Sequence, residues 1–269
     1  MAILDRTRHS EPKTFLFAQS SGTLADELEL ALRLGQIEIR FQPQFSCANG
    51  RLIGAEALAR WIHPSYGKIS AHELFELAAA AGLAQELSWQ VFSLAIRHAG
   101  QWPIGLGLSL NVTSRQLLGE GFVARVIAEL SSIGLDPHQV TLEITEELLL
   151  DDLDLAARQL VALRDHGLRI ALDDFGAGFC NFDYLKRLPL DALKLDRSMV
   201  QGVATCERDR AVLRAIVTLA GALELDVVAE GIEEASQRDA VIEEGCTYWQ
   251  GYLGAKPLTR AALMTMLEA

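Results

Sequence analysis

Seven short, mostly apolar runs each end on a single polar residue, and that recurrence restricts the fold more than any other feature of the chain. The runs at 52–55, 106–110, 140–142, 169–172, 192–193, 227–229 and 247–249 are followed in turn by Glu56, Asn111, Glu143, Asp173, Lys194, Glu230 and Gln250. Apolar runs this short, bounded by glycines and helical stretches, read as buried strands. If they lie parallel and side by side, their carboxyl ends meet at one rim and the seven side chains converge. Four carboxylates gathered there repel one another, so divalent cations are the natural compensation.

The segments between the runs carry helical periodicity. Helices are predicted at about 71–100, 115–133, 152–166, 207–223, 234–244 and 259–268. An earlier one, marked by Leu24, Leu28, Ala31, Leu32 and Leu34, stops at Gly35, and a first strand follows over 37–45. Strand–helix alternation argues for a parallel sheet wrapped by helices. About eight strands in about 250 residues fit a closed, TIM-like (β/α)8 barrel, whose sites lie at the carboxyl ends of its strands. An open doubly wound sheet would gather its polar groups near one switch point. Here polar residues end nearly every strand, which favours the barrel. Residues 1–20 are mixed in charge and lack periodicity, so they read as a linker or remnant of a longer protein, with one domain over 21–269.

A net charge of −12 disfavours partners such as DNA, RNA or an anionic membrane face. An anionic substrate would therefore need metal ions or a few placed basic residues. Cys47, Cys180, Cys206 and Cys246 show no C-x-x-C spacing and read as reduced, isolated thiols. The apolar run at 215–223 falls far short of the ~20 residues of a membrane span. Charged residues interrupt the N-terminus where a secretory signal would be apolar. A cytoplasmic location is expected.

Several polar residues carry a structural reading beside the chemical one. Asp173-Asp174, followed by Phe175-Gly176-Ala177-Gly178, could hold two cations from one strand end, or one Asp could cap the next helix. The kinase-like string Asp174-Phe175-Gly176 lacks the V-A-I-K strand and H-R-D loop that would give it meaning. Glu143 suits a metal, whereas Thr145-Glu146-Glu147-Leu148 also resembles a helix start. Lys194 lies between leucines; an inward lysine beside carboxylates could orient a water or neutralise a phosphoryl group, and a solvent-facing edge lysine is the alternative. Asn111 would add a neutral oxygen ligand, which suits Mg²⁺ or Mn²⁺ better than zinc. Arg60 could grip a phosphate or be simply exposed. His63, His72, His98, His138 and His166 read as surface or capping residues in loops and helices.

Read in series, Gln42-Pro43, Glu56-Ala57-Leu58, Asn111-Val112-Thr113, Glu143-Ile144-Thr145-Glu146, Asp173-Asp174-Phe175-Gly176, Lys194-Leu195-Asp196, Ala229-Glu230-Gly231-Ile232-Glu233 and Gln250-Gly251-Tyr252 resemble the EAL-domain family. The match runs from about residue 24 to the C-terminus, in order; each motif is weak alone and the series is highly specific. The resemblance implies a cyclic di-GMP phosphodiesterase that yields linear pGpG, on a barrel whose first strand runs against the others. It implies two Mg²⁺ or Mn²⁺ ions, with Ca²⁺ inhibitory. Glu56, Asn111, Glu143 and Asp173 would hold one ion, and Asp173, Asp174 and Glu230 the other. Lys194 would assist the attacking water, with Asp196 supporting it. Gln42 and Arg60 would hold substrate, Gln250 would position water or substrate, and Glu146 would anchor the loop after Asp174. A homodimer through the region 180–220 and an upstream sensor or GGDEF domain are also implied. A non-catalytic receptor for the same dinucleotide is the rival, and such receptors typically lose ligands or the lysine that this chain keeps. Ala79, Ala177 and Cys180-Asn181 depart from the family pattern, with an altered rate expected rather than inactivity.

Overall fold

The apolar runs do form strands, and the strands close on themselves. The computed structural model describes residues 21–146, 152–177 and 182–268. Its strands are β1 (Ile37–Ser46), β2 (Leu52–His63), β3 (Gly67–Ile69), β4 (Gly107–Asn111), β5 (Val140–Thr145), β6 (Arg169–Phe175), β7 (Ala192–Leu195), β8 (Asp226–Ala229) and β9 (Tyr248–Gln250). They are ordered β1-β9-β8-β7-β6-β5-β4-β2-β3, and a further β1–β2 pairing closes eight of them into a barrel. From β2 through β4 to β9 the barrel neighbours are parallel. Among the described strands of the barrel itself, β1 alone is reversed, pairing antiparallel with β9 so that Gln44 faces Gln250.

The chain divides into two units. The larger comprises 39–58 and 88 onward. Its strands alternate strictly: Leu108, Leu110, Leu142, Ile144, Ile170, Leu172, Leu193, Leu195, Val227 and Ala229 enter one buried hydrophobic cluster, while the intervening residues line the barrel interior. Helices α3 (Ala84–Ala99), α5 (Phe122–Ile133), α6 (Leu153–Asp165), α9 (Glu207–Ala222), α10 (Ala235–Glu243) and α11 (Arg260–Glu268) follow strands in turn. Their apolar faces supply Phe92, Ile96, Val126, Leu130, Leu160, Leu163, Leu213 and Val241 to that cluster.

The smaller unit holds the described residues up to Glu38 together with 59–87. In α1 (Ser21–Arg33) the predicted stripe of Leu24, Leu28, Ala31 and Leu32 is buried, whereas Leu34, just past the helix, is exposed. Helix α2 (Ala71–Ala80) starts on a capping box, with Ser70 N–H donating to Glu73 Oε2 at 2.8 Å. His63 is a correction to the surface reading of the histidines. It ends β2, is buried, accepts backbone N–H bonds from Ser65 and Tyr66 at Nδ1, and meets Glu27 through Nε2.

Two predicted helices are each broken in two. Gly82, at φ +74°, separates α2 from α3, and Gly121, at φ +73°, separates the short α4 (Ser114–Leu117) from α5. A residue with a Cβ strains in that left-handed conformation, so the chain turns there although the apolar periodicity continues across the break. The short α7 (Phe182–Arg187) and α8 (Arg197–Val200) were not expected, nor was β3, which pairs with the far end of β2. Among the described residues no helix is long and apolar enough to cross a membrane, and Cys47, Cys206 and Cys246 are free thiols. The readings of 1–20 as a linker, of Cys180-Asn181 and of a helix start through Glu147 and Leu148 lie outside the described residues.

Gly251 marks the tightest backbone approach beside the rim. A Cβ there would lie 2.0 Å from the carbonyl oxygen of Ile232 and 2.3 Å from its nitrogen. Those atoms are bonded to Leu253 N–H and to the Gln250 carbonyl, so relief requires a backbone shift. Gly251→Ala is expected to destabilise the fold by about 1–3 kcal/mol, read as a lower urea midpoint with an unchanged slope.

Candidate active site

Period-2 alternation turns one residue per strand inward near the carboxyl ends. Asn111 is the last residue of β4 and Gln250 the last of β9, Glu230 lies one past β8, and Glu143, Asp173 and Lys194 stand one or two residues before the ends of β5, β6 and β7. Glu56 differs from the strand-end expectation because β2 continues to His63. Its parallel pairing with β4 nonetheless stops at Glu56, which places the carboxylate level with the others.

Lys194 is the centre of this layer, and its side chain is 1% exposed. Its Nζ lies 2.7 Å from Glu230 Oε1, 2.8 Å from Glu143 Oε2, 3.0 Å from Asp173 Oδ1 and 3.7 Å from Glu56 Oε2. Amide groups complete the layer. Asn111 Nδ2 donates to Glu56 Oε1 at 2.8 Å, and Gln250 Nε2 donates to Glu56 Oε2 at 2.8 Å and to Glu230 Oε1 at 3.3 Å. The solvent-facing alternative for Lys194 is thereby excluded. Burial alone would favour a neutral amine, but Asp173, Glu143, Glu230 and Glu56 outweigh it and hold the ammonium well above its usual pKa.

One ammonium does not balance four carboxylates. Burial pushes Glu143 well above the usual carboxylate range against the pull of Lys194, and pushes Glu230 up to about 8. Glu143 is 2.8 Å from Nζ, yet neither of its oxygens makes an aligned hydrogen bond. Among the described residues no three His, Cys, Asp or Glu side chains are drawn together closely enough to hold a metal ion; the acids converge on Lys194 rather than on one another. The donor set still fits a hard divalent cation. It offers carboxylate oxygens, an amide and two buried Glu143 oxygens without aligned donors, in a region of excess negative charge.

Asp173 and Asp174 share the β6–β7 register shift between Leu172 and Phe175. Asp174 takes φ +55°, its N–H donating to Asp173 Oδ1 at 3.0 Å. A non-glycine residue in that region is uncommon, and such strain concentrates at functional sites. Burial and the neighbouring Asp173 raise the Asp174 carboxyl. Asp196 caps α8, its Oδ1 accepting from Ser198 N–H at 2.9 Å, and these bonds hold its carboxyl low despite some burial. It braces the turn after β7, while the ion pairs of Lys194 go to the four rim acids. Gln42, Asp196, Glu230 and Gln250 line a rim cavity of about 200 Å³ together with Arg197 and Tyr252. Arg60 belongs to the smaller unit, where it is buried and its Nη1 donates to the Ala59 carbonyl at 2.6 Å. Glu146 follows β5 and is half-buried; residues 178–181, part of the loop it would anchor, lie outside the described residues.

Sequence reasoning missed Gln44. It is buried on the same face of β1 as Gln42, and its Nε2 donates to Gln250 Oε1 at 3.1 Å and to Ser109 Oγ at 3.3 Å. The signal was present in the two-residue spacing from Gln42. Below this layer the small inward residues Gly107, Thr141, Ala171 and Ala192 leave a cavity of about 440 Å³, bounded above by Gln44, Ser109, Glu143 and Lys194.

A closed barrel with a reversed first strand and an acid-ringed lysine at its carboxyl rim defines a class that comparison identifies directly. The EAL domain family model matches residues 25–257, and the chain belongs to that family. It is 38% identical over 227 residues to the cyclic di-GMP phosphodiesterase RocR of Pseudomonas aeruginosa, covering 83% of this chain and 58% of RocR. It is 36% identical over 258 residues to the uncharacterized protein Rv1354c of Mycobacterium tuberculosis, covering 93% of this chain and 41% of that protein. The chain thus spans only part of the length of these relatives. The solved PaMucR phosphodiesterase in complex with c-di-GMP superposes with a TM-score of 0.84 at 34% identity, covering 90% of this chain and 99% of that one.

The raised carboxyls fix a pH dependence. Glu230 titrates near 8 in the fold, and Glu143 and Asp174 are shifted the same way, so the folded protein binds protons that the unfolded chain, with carboxyls near 4, releases. Their stabilising contribution is complete below about pH 4 and is lost as pH rises towards 8. Metal-free protein is expected to show a lower urea midpoint at pH 8 than at pH 6; a higher midpoint at pH 8 would contradict the assignment.

Proposed function

We propose that this chain hydrolyses one phosphodiester bond of cyclic di-GMP, opening the ring to linear pGpG, with two Mg²⁺ or Mn²⁺ ions in the rim site. The observation that carries this reading is the convergence of Glu56, Glu143, Asp173 and Glu230 on Lys194 at the rim of an EAL-family barrel. Two relatives of this chain are named cyclic di-GMP phosphodiesterases.

Glu56, Asn111, Glu143 and Asp173 would hold one ion, and Asp173, Asp174 and Glu230 the second. Bound there, the pair would supply an acidified water and neutralise charge on the phosphoryl oxygens. Lys194 keeps its proton, so it serves as a fixed positive donor that orients the attacking water and faces the developing phosphoryl charge. Its acid neighbours prevent it from acting as a base. The Gln250 amide, bonded to both Glu56 and Glu230, holds those two carboxylates at a set separation. Gln42 and Arg60 would hold the dinucleotide, whose two negative charges are otherwise unwelcome on a chain of net charge −12. Glu146 would steady the loop after Asp174. The active unit would be a cytoplasmic homodimer, one domain of a longer protein with a sensor or GGDEF domain upstream.

Lys194→Ala and Glu56→Ala are each expected to lower turnover by at least about 10³-fold, comparable to losing a transition-state donor, while Lys194→Ala still binds labelled cyclic di-GMP. Chromatography of the product with Mg²⁺ or Mn²⁺ present checks this. Wild-type protein that binds the dinucleotide without releasing pGpG would instead mark a non-catalytic receptor. Ca²⁺ is expected to support binding with little hydrolysis, because its longer and looser coordination spoils a geometry suited to smaller ions. Equal rates in Ca²⁺ and Mg²⁺ would refute that point.

A further inference from the structure

We propose that Gln44 is a positioning residue: clamped by Ser109, it fixes the Gln250 amide so that the Gln250 nitrogen faces Glu56 and Glu230. The argument starts from what each group can do. Glu56 Oε2 and Glu230 Oε1 also face the Lys194 ammonium, so these two oxygens accept hydrogen bonds and a glutamine wedged against them must present its NH₂ end. Gln250 Nε2 does so, at 2.8 Å from Glu56 and 3.3 Å from Glu230. Its Oε1 then points away and needs a donor, which Gln44 Nε2 supplies at 3.1 Å. The Ser109 hydroxyl, 3.3 Å from the Gln44 nitrogen and 3.4 Å from its oxygen, holds the Gln44 side chain in place and can serve either end of its amide. The chain Ser109–Gln44–Gln250 therefore has a single direction, set by the acids at its end. All three side chains are buried. Gln44 and Ser109 also border the cavity below the layer, so hydrogen bonds rather than packing on that side set the angle of the Gln44 amide.

This inference extends the metal-dependent reading of the site, because Glu56 and Glu230 are assigned there to different ions. Partners that orient metal ligands typically alter affinity or activity by about 10–100-fold when removed. The test uses Gln44→Leu, Gln250→Leu and the double variant, with Ser109→Ala as a smaller change in case Gln44→Leu folds poorly. In metal-free protein the Gln250 side-chain amide NMR signal, assigned by its loss in Gln250→Leu, is expected to shift and broaden in Gln44→Leu and in Ser109→Ala. In calorimetric titration Gln44→Leu is expected to weaken Mn²⁺ binding by about 10–100-fold, with no further loss when Gln44→Leu is added to Gln250→Leu. An unmoved amide signal, or losses that simply multiply in the double variant, would overturn the proposal. Wild-type protein that fails to bind Mn²⁺ would overturn the metal reading, and the amide signal alone would then decide the relay.

Discussion

The ammonium of Lys194 is the charge around which the rest of the site is organised. Four carboxylates from β2, β5, β6 and the end of β8 lie within 3.7 Å of it, and each arrives because its strand turns that residue inward. A one-residue slip in a strand such as β5 or β7 would send its polar residue into the apolar cluster and bring an apolar neighbour into the barrel. In β7 the slip would bury Lys194 among the helices and expose Leu193 and Leu195 to the acids. Removing one partner of a buried ion pair typically costs about 3–5 kcal/mol, so the cluster penalises misregistered barrels at the same time as it builds the site. Hydrophobic burial supplies the stability, and the charges make one register preferable to its neighbours.

Two departures from a regular barrel enrich the rim. A parallel strand presents only the residues near its carboxyl end. Because β1 runs downward, its middle residues reach the same level: Gln44 stands opposite Gln250, and Gln42 lies two residues nearer the rim on the same face. The second departure is the register shift in β6. Adjacent residues of a regular strand face opposite sides, yet the shift and the left-handed Asp174 allow both Asp173 and Asp174 to serve one region. Each irregularity adds a polar group that a regular eight-fold repeat would have kept outside.

The sequence made the rim legible for the same reason that the barrel forms. A polar residue ending an apolar strand has few stable places to go, and seven in series leave only a common rim. What stayed hidden was set by contacts between distant segments. Helical periodicity runs straight through Gly82 and Gly121, so the breaks follow from the left-handed backbone of those glycines rather than from the apolar pattern. His63 looked like a loop histidine because its partner Glu27 lies 36 residues away in the chain. Gln44 differs from Gln42 only by its partners on β9 and β4. Most telling, four acids suggested a metal at the centre of the layer, where the fold sets the Lys194 ammonium; the competition between these two kinds of positive charge appears only when distances are known.

That competition explains how so acidic a pocket can fold before any cation enters. If every acid were ionised, four carboxylates and one ammonium would leave an excess of three negative charges in a buried layer. The shifts of Glu143 and Glu230 indicate how the excess is relieved, with burial favouring protonation of the two acids closest to Lys194. The negative charge of the layer is thus offset in two ways, by one covalently fixed ammonium and by protons exchangeable with solvent. A divalent ion bound there as proposed would displace protons from groups already in place rather than assemble a site from scattered parts. Under the proposed function Lys194 would serve folding and chemistry through one property, a charge that remains when every exchangeable proton has gone.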